Sequence, residues 1–186
     1  MATMRKLKLQ VQMTVDGFVA GPEGQLDWMT RNLDEGVIAR NRPADRLERH
    51  HPARQRNDCR IHRLLGGRAT TEPGIRFRAE DGTPKVVFSK TLTRVAGKNV
   101  RVESGDLVHA VTRLKEQRGK DIVVYGGATF VSALVEHDLI DELNIFVNPV
   151  AIGRGMRIFK DRKALRLIGS TAYPSGVVIN TYQPVR

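Results

Sequence analysis

Apolar and polar residues alternate over Leu7-Lys-Leu-Gln-Val-Gln-Met13, which predicts a first strand across residues 4–13 with one face turned to a core. Later apolar stretches are short and unbroken. Ile61–Leu65, Pro84–Thr91, Val100–Val102, Ile122–Tyr125 and Ile140–Val147 read as strands, and Ile122–Tyr125 reads as one buried on both faces. Between them the period becomes helical. Leu107, Val108, Val111 and Leu114 share one face of a helix capped by Ser104 and ended by Gly119. Phe130, Val131, Leu134 and Val135 share one face of another that starts at Ala128. Residues 100–147 therefore alternate β–α–β–α–β, which implies parallel pairing through right-handed crossovers. Leu165–Tyr173 and Val177–Tyr182, joined by Pro174-Ser-Gly176, predict an antiparallel hairpin at the sheet edge. The expected fold class is α/β in three layers: a mixed, mainly parallel sheet with helices on both faces, in one domain over residues 1–186.

The pattern is most informative at Asp121–Phe130. Strand, glycine pair and helix follow one another, with Gly126 and Gly127 at the joint. Glycines there allow a tight turn and a ligand's close approach. The N–H groups and positive dipole end of the following helix suit a phosphate; an ordinary βα turn is the plainer alternative. The first strand likewise runs into Met13–Gly24, a loop with turn signals at Asp16-Gly17 and Gly21-Pro22. Such a loop leaves the carboxyl end of a strand, where α/β proteins bind ligands. Gln25–Thr30 predicts a helix start, with Asp27 either favoured there by the helix dipole or facing a site under the loop.

Composition changes this picture in one segment. Residues 31–82 hold 12 of the 22 arginines, none of the 9 lysines and eight acids. Their apolar periodicity is broken and Pro43 and Pro52 interrupt any long helix. The segment is expected to be the least ordered part of the chain, because little apolar surface is there to offset backbone ordering. His50, His51, Cys59 and His62 lie in it without a recognised paired ligand spacing, so no metal is expected. The net charge of +11 admits a nucleic-acid-binding reading through an arginine-rich arm, but aromatics are only 5%, too few for base-stacking platforms. One cysteine excludes an intramolecular disulfide framework, and neither a membrane-spanning apolar run nor a signal-peptide core is present. A cytoplasmic location is the default expectation.

Taken together, four ordered stretches resemble the dihydrofolate reductase-like family, in the branch of the riboflavin-biosynthesis deaminase/reductase's reductase domain. They are Thr14-Val-Asp-Gly-Phe-Val-Ala20, Gly67-Arg-Ala-Thr70, Val87-Phe-Ser-Lys90 and Val124-Tyr-Gly-Gly-Ala-Thr-Phe130. Asp141–Val150 and Gly153-x-Gly155 are similar to single-domain members. The match is poor between 31 and 82 outside the Gly-Arg-x-Thr turn, which leaves open a family member whose activity is lost through that segment. The resemblance implies an NADPH-dependent reductase of a pteridine-like or riboflavin-precursor small molecule. It implies cofactor contacts at Gly67, Arg68, Thr70, Ser89, Lys90, Gly126, Gly127, Ala128, Thr129 and Phe130, with Ser89 and Lys90 meeting the 2′-phosphate. It places Asp16, Gly17, Phe18 and Trp28 at the substrate. Asp27 and Asp16 are the expected catalytic carboxylates, Asp27 holding or relaying a proton if buried against Trp28. It further implies a homodimer; with no long apolar run and so few aromatics, neither a membrane nor a nucleic-acid partner is expected.

Overall fold

The computed structural model describes residues 4–29, 59–63, 84–94, 99–125 and 127–186. Alternation in the sequence becomes a sheet of strands β1 (Leu7–Thr14), β2 (Cys59–Arg63), β3 (Lys85–Phe88), β4 (Val100–Glu103), β5 (Ile122–Tyr125), β6 (Glu142–Asn148), β7 (Leu165–Ala172) and β8 (Val178–Pro184). Their spatial order is β4-β3-β2-β5-β1-β6-β8-β7. The six strands from β4 to β6 are all parallel. β8 runs antiparallel to β6, and β7 closes the hairpin against β8 at the edge. The sheet is therefore mixed and mainly parallel, as the pattern predicts.

Period-two burial fixes which face is which. Leu7, Leu9, Val11 and Met13 of β1 are buried, while Lys8, Gln10 and Gln12 are half-buried. The register sets Leu9 beside Val124 on one side and Leu143 on the other, so the apolar row continues across strands. Helix α1 (Leu107–Glu116) adds Ala110, Val111 and Leu114 to this core, and α2 (Ala128–Glu136) adds Phe130, Val131, Leu134 and Val135. Each such large side chain stabilises the fold by about 1.5–3 kcal/mol. Phe146, Val177 and Ile179 build a second, smaller cluster with Tyr173. Both described helices feed the first cluster; helices on the second face would fall on residues outside those described.

Four local expectations are corrected. Ser104 does not cap α1: the Asp106 carboxylate accepts from the His109 N–H at 2.9 Å, and the helix ends at Glu116 rather than near Gly119. Val108 is 37% exposed, so the buried stripe of α1 is Ala110, Val111 and Leu114. β5 buries Ile122 and Val124 fully but Val123 and Tyr125 only partly. The helix predicted at Gln25 is a turn, with the Met29 N–H bonded to the Leu26 carbonyl at 3.1 Å. The ordering expected of residues 31–58 and 64–82 lies outside the described residues.

At the amino ends of the parallel strands, charged side chains tie neighbouring strands together. Lys8 bonds Asp121 at 2.9 Å and lies 3.7 Å from Glu142, while the Lys6 N–H donates to Asp121 at 3.1 Å. Partial burial pushes the Asp121 carboxyl up, but the Lys8 and Lys6 hydrogen bonds and charges outweigh it and hold it below the usual carboxylate range. Its stabilisation is thus present above the unfolded value of about 3.9 and fades as pH falls through the lower folded value, where the native carboxylate is finally protonated. Chemical denaturation followed as pH falls from the unfolded value towards the lower folded one is expected to show a shallower fall of stability in Asp121→Asn than in the wild type. Equal slopes would show that Asp121 is not a source of acid sensitivity.

Candidate functional site

Every candidate motif within the described residues sits at or just beyond a carboxyl end of a parallel strand. β1 ends at Thr14, β3 at Phe88, β5 at Tyr125 and β6 at Asn148, and the loops that follow them gather along one edge of the sheet. Neighbouring strands lie about 4.8 Å apart, so the tips of β3 and β1, three strand spacings apart, are about 14 Å from each other.

After β5, Gly127 takes the left-handed conformation at φ +74° and forms the N-cap of α2 without any side-chain cap. It is exposed, and among the described residues a Cβ there meets only the Phe130 Cβ, at 3.8 Å. The first-turn N–H groups of Ala128 and Thr129 have no partner within the helix. Thr129 is exposed and Ala128 half-buried. Phe130 is different: it is 5% exposed and packs its ring 5.2 Å from that of Phe88. Its side chain belongs to the core, because the apolar stripe of α2 must face the sheet, and only its backbone can reach a ligand. Gly126, Gly67, Arg68 and Thr70 lie outside the described residues.

After β3, the Ser89 hydroxyl accepts from the Leu92 N–H at 3.1 Å and the Thr91 N–H at 3.3 Å. This is a local turn of the kind serine favours. Ser89 shapes the turn, and Lys90 stands exposed on it.

After β1, Asp16 and its neighbours fold inward on the chain. Asp16 accepts from the Thr14 hydroxyl at 2.6 Å, the Ile152 N–H at 3.0 Å and the Gly153 N–H at 2.7 Å. The Thr14 bond is the chief cause that holds its carboxyl below the usual carboxylate range; the two amides add to it, against an opposing push from partial burial. The carboxylate expected to face the substrate is thus occupied in joining two loops. Gly17, at φ +85°, closes the turn by donating to the Thr14 carbonyl at 3.0 Å. Phe18 is 6% exposed, with the Arg157 guanidinium 4.6 Å above its ring, so it anchors the loop rather than lining a site.

Asp27 and Trp28 do meet a cavity. A cleft of about 320 Å³ is lined by Gly21, Pro22, Gln25, Asp27, Trp28, Ile152 and Arg154. Asp27 is exposed on it, not buried against Trp28. The Trp28 indole N–H is buried without a hydrogen-bond partner among the described residues. Gln25, Ile152 and Arg154 were absent from the sequence-based candidates. The Gly153-Arg-Gly155 pattern marks their loop, but nothing local says that it folds over the first one.

The model of the RibD C-terminal domain family matches residues 5–179. The chain belongs to that family. Among the relatives of this RibD-type domain is the uncharacterized protein YyaP of Bacillus subtilis, 26% identical over 191 residues that cover 96% of this chain and 94% of YyaP. Among solved structures, a Thermotoga maritima diaminohydroxyphosphoribosylaminopyrimidine deaminase/5-amino-6-(5-phosphoribosylamino)uracil reductase superposes with a TM-score of 0.62 at 18% identity, over 98% of this chain and 57% of that one. Dihydrofolate reductase from Enterococcus faecalis, solved with NADP(H), gives 0.60 at 16% identity over 97% of both chains. These likenesses show a dihydrofolate reductase-like fold. No described helix is long and apolar enough to cross a membrane.

Proposed function

We propose that this RibD C-terminal domain protein is an NADPH-dependent reductase that transfers a hydride to a pteridine-like or riboflavin-precursor small molecule. The observation that carries the proposal is the open, left-handed Gly127 at the uncapped N-terminus of α2, one strand away from the cleft that follows β1. Family membership and the NADP(H)-bound neighbour support the choice of cofactor. The residues fit such a group: among the described residues nothing fills the space over Gly127, and the N–H groups of Ala128 and Thr129 would hold a pyrophosphate. Lys90, at the tip of β3, would meet the 2′-phosphate, with Ser89 shaping the turn that presents it. When bound, the nicotinamide supplies the hydride. The chain itself supplies position and charge, with Asp27 exposed on the cleft to face the substrate. A homodimer and a cytoplasmic location belong to the same proposal, and sedimentation equilibrium measures the first.

NADPH consumption with 5-amino-6-(5-phosphoribosylamino)uracil and with dihydrofolate tests the activity directly. Cofactor choice is tested separately by Lys90→Glu. Losing a charge-assisted contact weakens NADPH binding by about 10- to 100-fold, since such a bond contributes about 1.5–3 kcal/mol. NADH affinity should change little, because it lacks the 2′-phosphate. Equal losses for both cofactors in titrations would remove Lys90 from this role.

A further inference from the structure

Two loops that follow non-consecutive strands are locked to each other beside the cleft. Loop 15–20 leaves β1 and loop 149–156 leaves β6. Their backbones bond at Val15 N–H to the Val150 carbonyl, 2.9 Å, at Val19 N–H to the Met156 carbonyl, 2.9 Å, and at Met156 N–H to the Ala20 carbonyl, 2.8 Å. Between these fastenings one side chain bridges the gap. Asp16 offers one oxygen to the Thr14 hydroxyl and the other to the successive amides of Ile152 and Gly153. Gly153 takes φ +73°, a conformation that brings its N–H round beside that of Ile152. The contact is also sterically closed: a Cβ at Gly155 would overlap the Ala20 carbonyl oxygen and press on Phe18 and Ile152. The residues so held include Ile152 and Arg154, which form one wall of the cleft whose other wall carries Asp27 and Trp28.

We infer that Asp16 is a positioning residue, a latch whose carboxylate holds loop 149–156 so that Ile152 and Arg154 close the cleft opposite Asp27 and Trp28. The inference rests on the reading of that cleft as the substrate side of a reductase site, and it reassigns Asp16 from the chemistry to the geometry. A latch needs acceptor oxygens in the right place; a proton-transfer group needs an ionisable one. Asparagine separates the two. Its single oxygen can still face the Ile152 and Gly153 amides, while its amide can donate to the Thr14 hydroxyl, whose own hydrogen then turns to the Phe18 carbonyl, 3.2 Å away.

The test uses the full chain and needs neither cofactor nor substrate, so its failure is separate from a failure of the proposed activity. Trp28 is the sole tryptophan and stands in the cleft wall, so acrylamide quenching of its fluorescence reads how open the cleft is. Amide exchange at Ile152 and Gly153 reads the latch itself. Asp16→Ala should speed that exchange by about 10-fold, the equivalent of one net hydrogen bond, and steepen Trp28 quenching, with exchange at Val124 in the core unchanged. Asp16→Asn should restore both readings towards the wild type. Gly155→Ala, which pries the loops apart from the other side, should reproduce the alanine phenotype with Asp16 intact. Unchanged exchange and quenching in Asp16→Ala, or an Asn variant as open as the Ala one, would overturn the inference.

Discussion

Replacing Gly127 by valine is expected to abolish measurable NADPH binding while leaving the sheet folded. Two effects act at the same position. The residue holds φ +74°, which costs a branched side chain about 1–3 kcal/mol. In a chain of this size that lowers the melting temperature by about 2–4 °C per kcal/mol, a loss the fold tolerates. The second effect falls on the ligand. The valine methyls would occupy the open space above Gly127, where a pyrophosphate must come to reach the Ala128 and Thr129 N–H groups. Losing two charge-assisted bonds corresponds to about 100-fold or more in affinity. Gly127→Ala separates the two effects, because it carries the backbone strain with far less bulk. It should melt at nearly the same temperature as the valine variant and bind NADPH measurably better. Titration calorimetry beside thermal melts reads both; wild-type affinity in a folded valine variant would remove Gly127 from the site.

Much of the fold was legible because the sequence states it twice, once in period and once in punctuation. β1 alternates strictly and buries every second residue, and α2 carries its stripe at Phe130, Val131, Leu134 and Val135 just after a glycine pair. The hairpin of β7 and β8 is announced by Pro174-Ser-Gly176. What was not legible depends on contacts distant in sequence. Two apolar residues at helical spacing, Leu26 and Met29, cannot by themselves nucleate a helix, since the first turn fixes several residues for one bond. Asp106 and Ser104 are both good caps, and choosing between them requires knowing where α1 meets the sheet.

The site divides the same way. The motif positions are strand tips, and parallel topology carries those within the described residues to one edge, so their gathering follows from order alone. The roles of individual side chains do not. Phe130 sits within a glycine-rich turn motif, yet belongs to the core because a helix has to bury its apolar stripe. The family resemblance implies a catalytic Asp16, yet its partners Ile152 and Gly153 lie more than a hundred positions away. No local pattern shows that a carboxylate is already hydrogen-bonded.

The opposite edge of the sheet should carry stability without carrying the site, and Asp141 tests this most sharply. It lies at the amino end of β6 with its side chain 17% exposed. One oxygen accepts from the Leu7 N–H at 2.8 Å and pairs with Lys115 at 2.5 Å, and the other meets Arg186 at 2.8 Å. One carboxylate thus joins β1, α1 and the C-terminal residue. Asp141→Ala strands the Leu7 N–H and leaves Lys115, whose side chain is 11% exposed, with the Leu139 carbonyl at 3.2 Å as its one partner among the described residues. Breaking a buried pair costs about 3–5 kcal/mol; the remaining carbonyl contact and the exposed Arg186 place this case at the lower end, about 3 kcal/mol. The melting temperature should fall by about 6–12 °C. Asp141→Asn keeps an acceptor for Leu7 and should lose less. Because the site lies at the other ends of the same strands, NADPH affinity measured well below the melting transition should stay within about 2-fold of the wild type. A variant that kept its melting temperature would show that the clasp contributes no net stability. One that stayed folded yet lost NADPH would show that the two edges are coupled through β1.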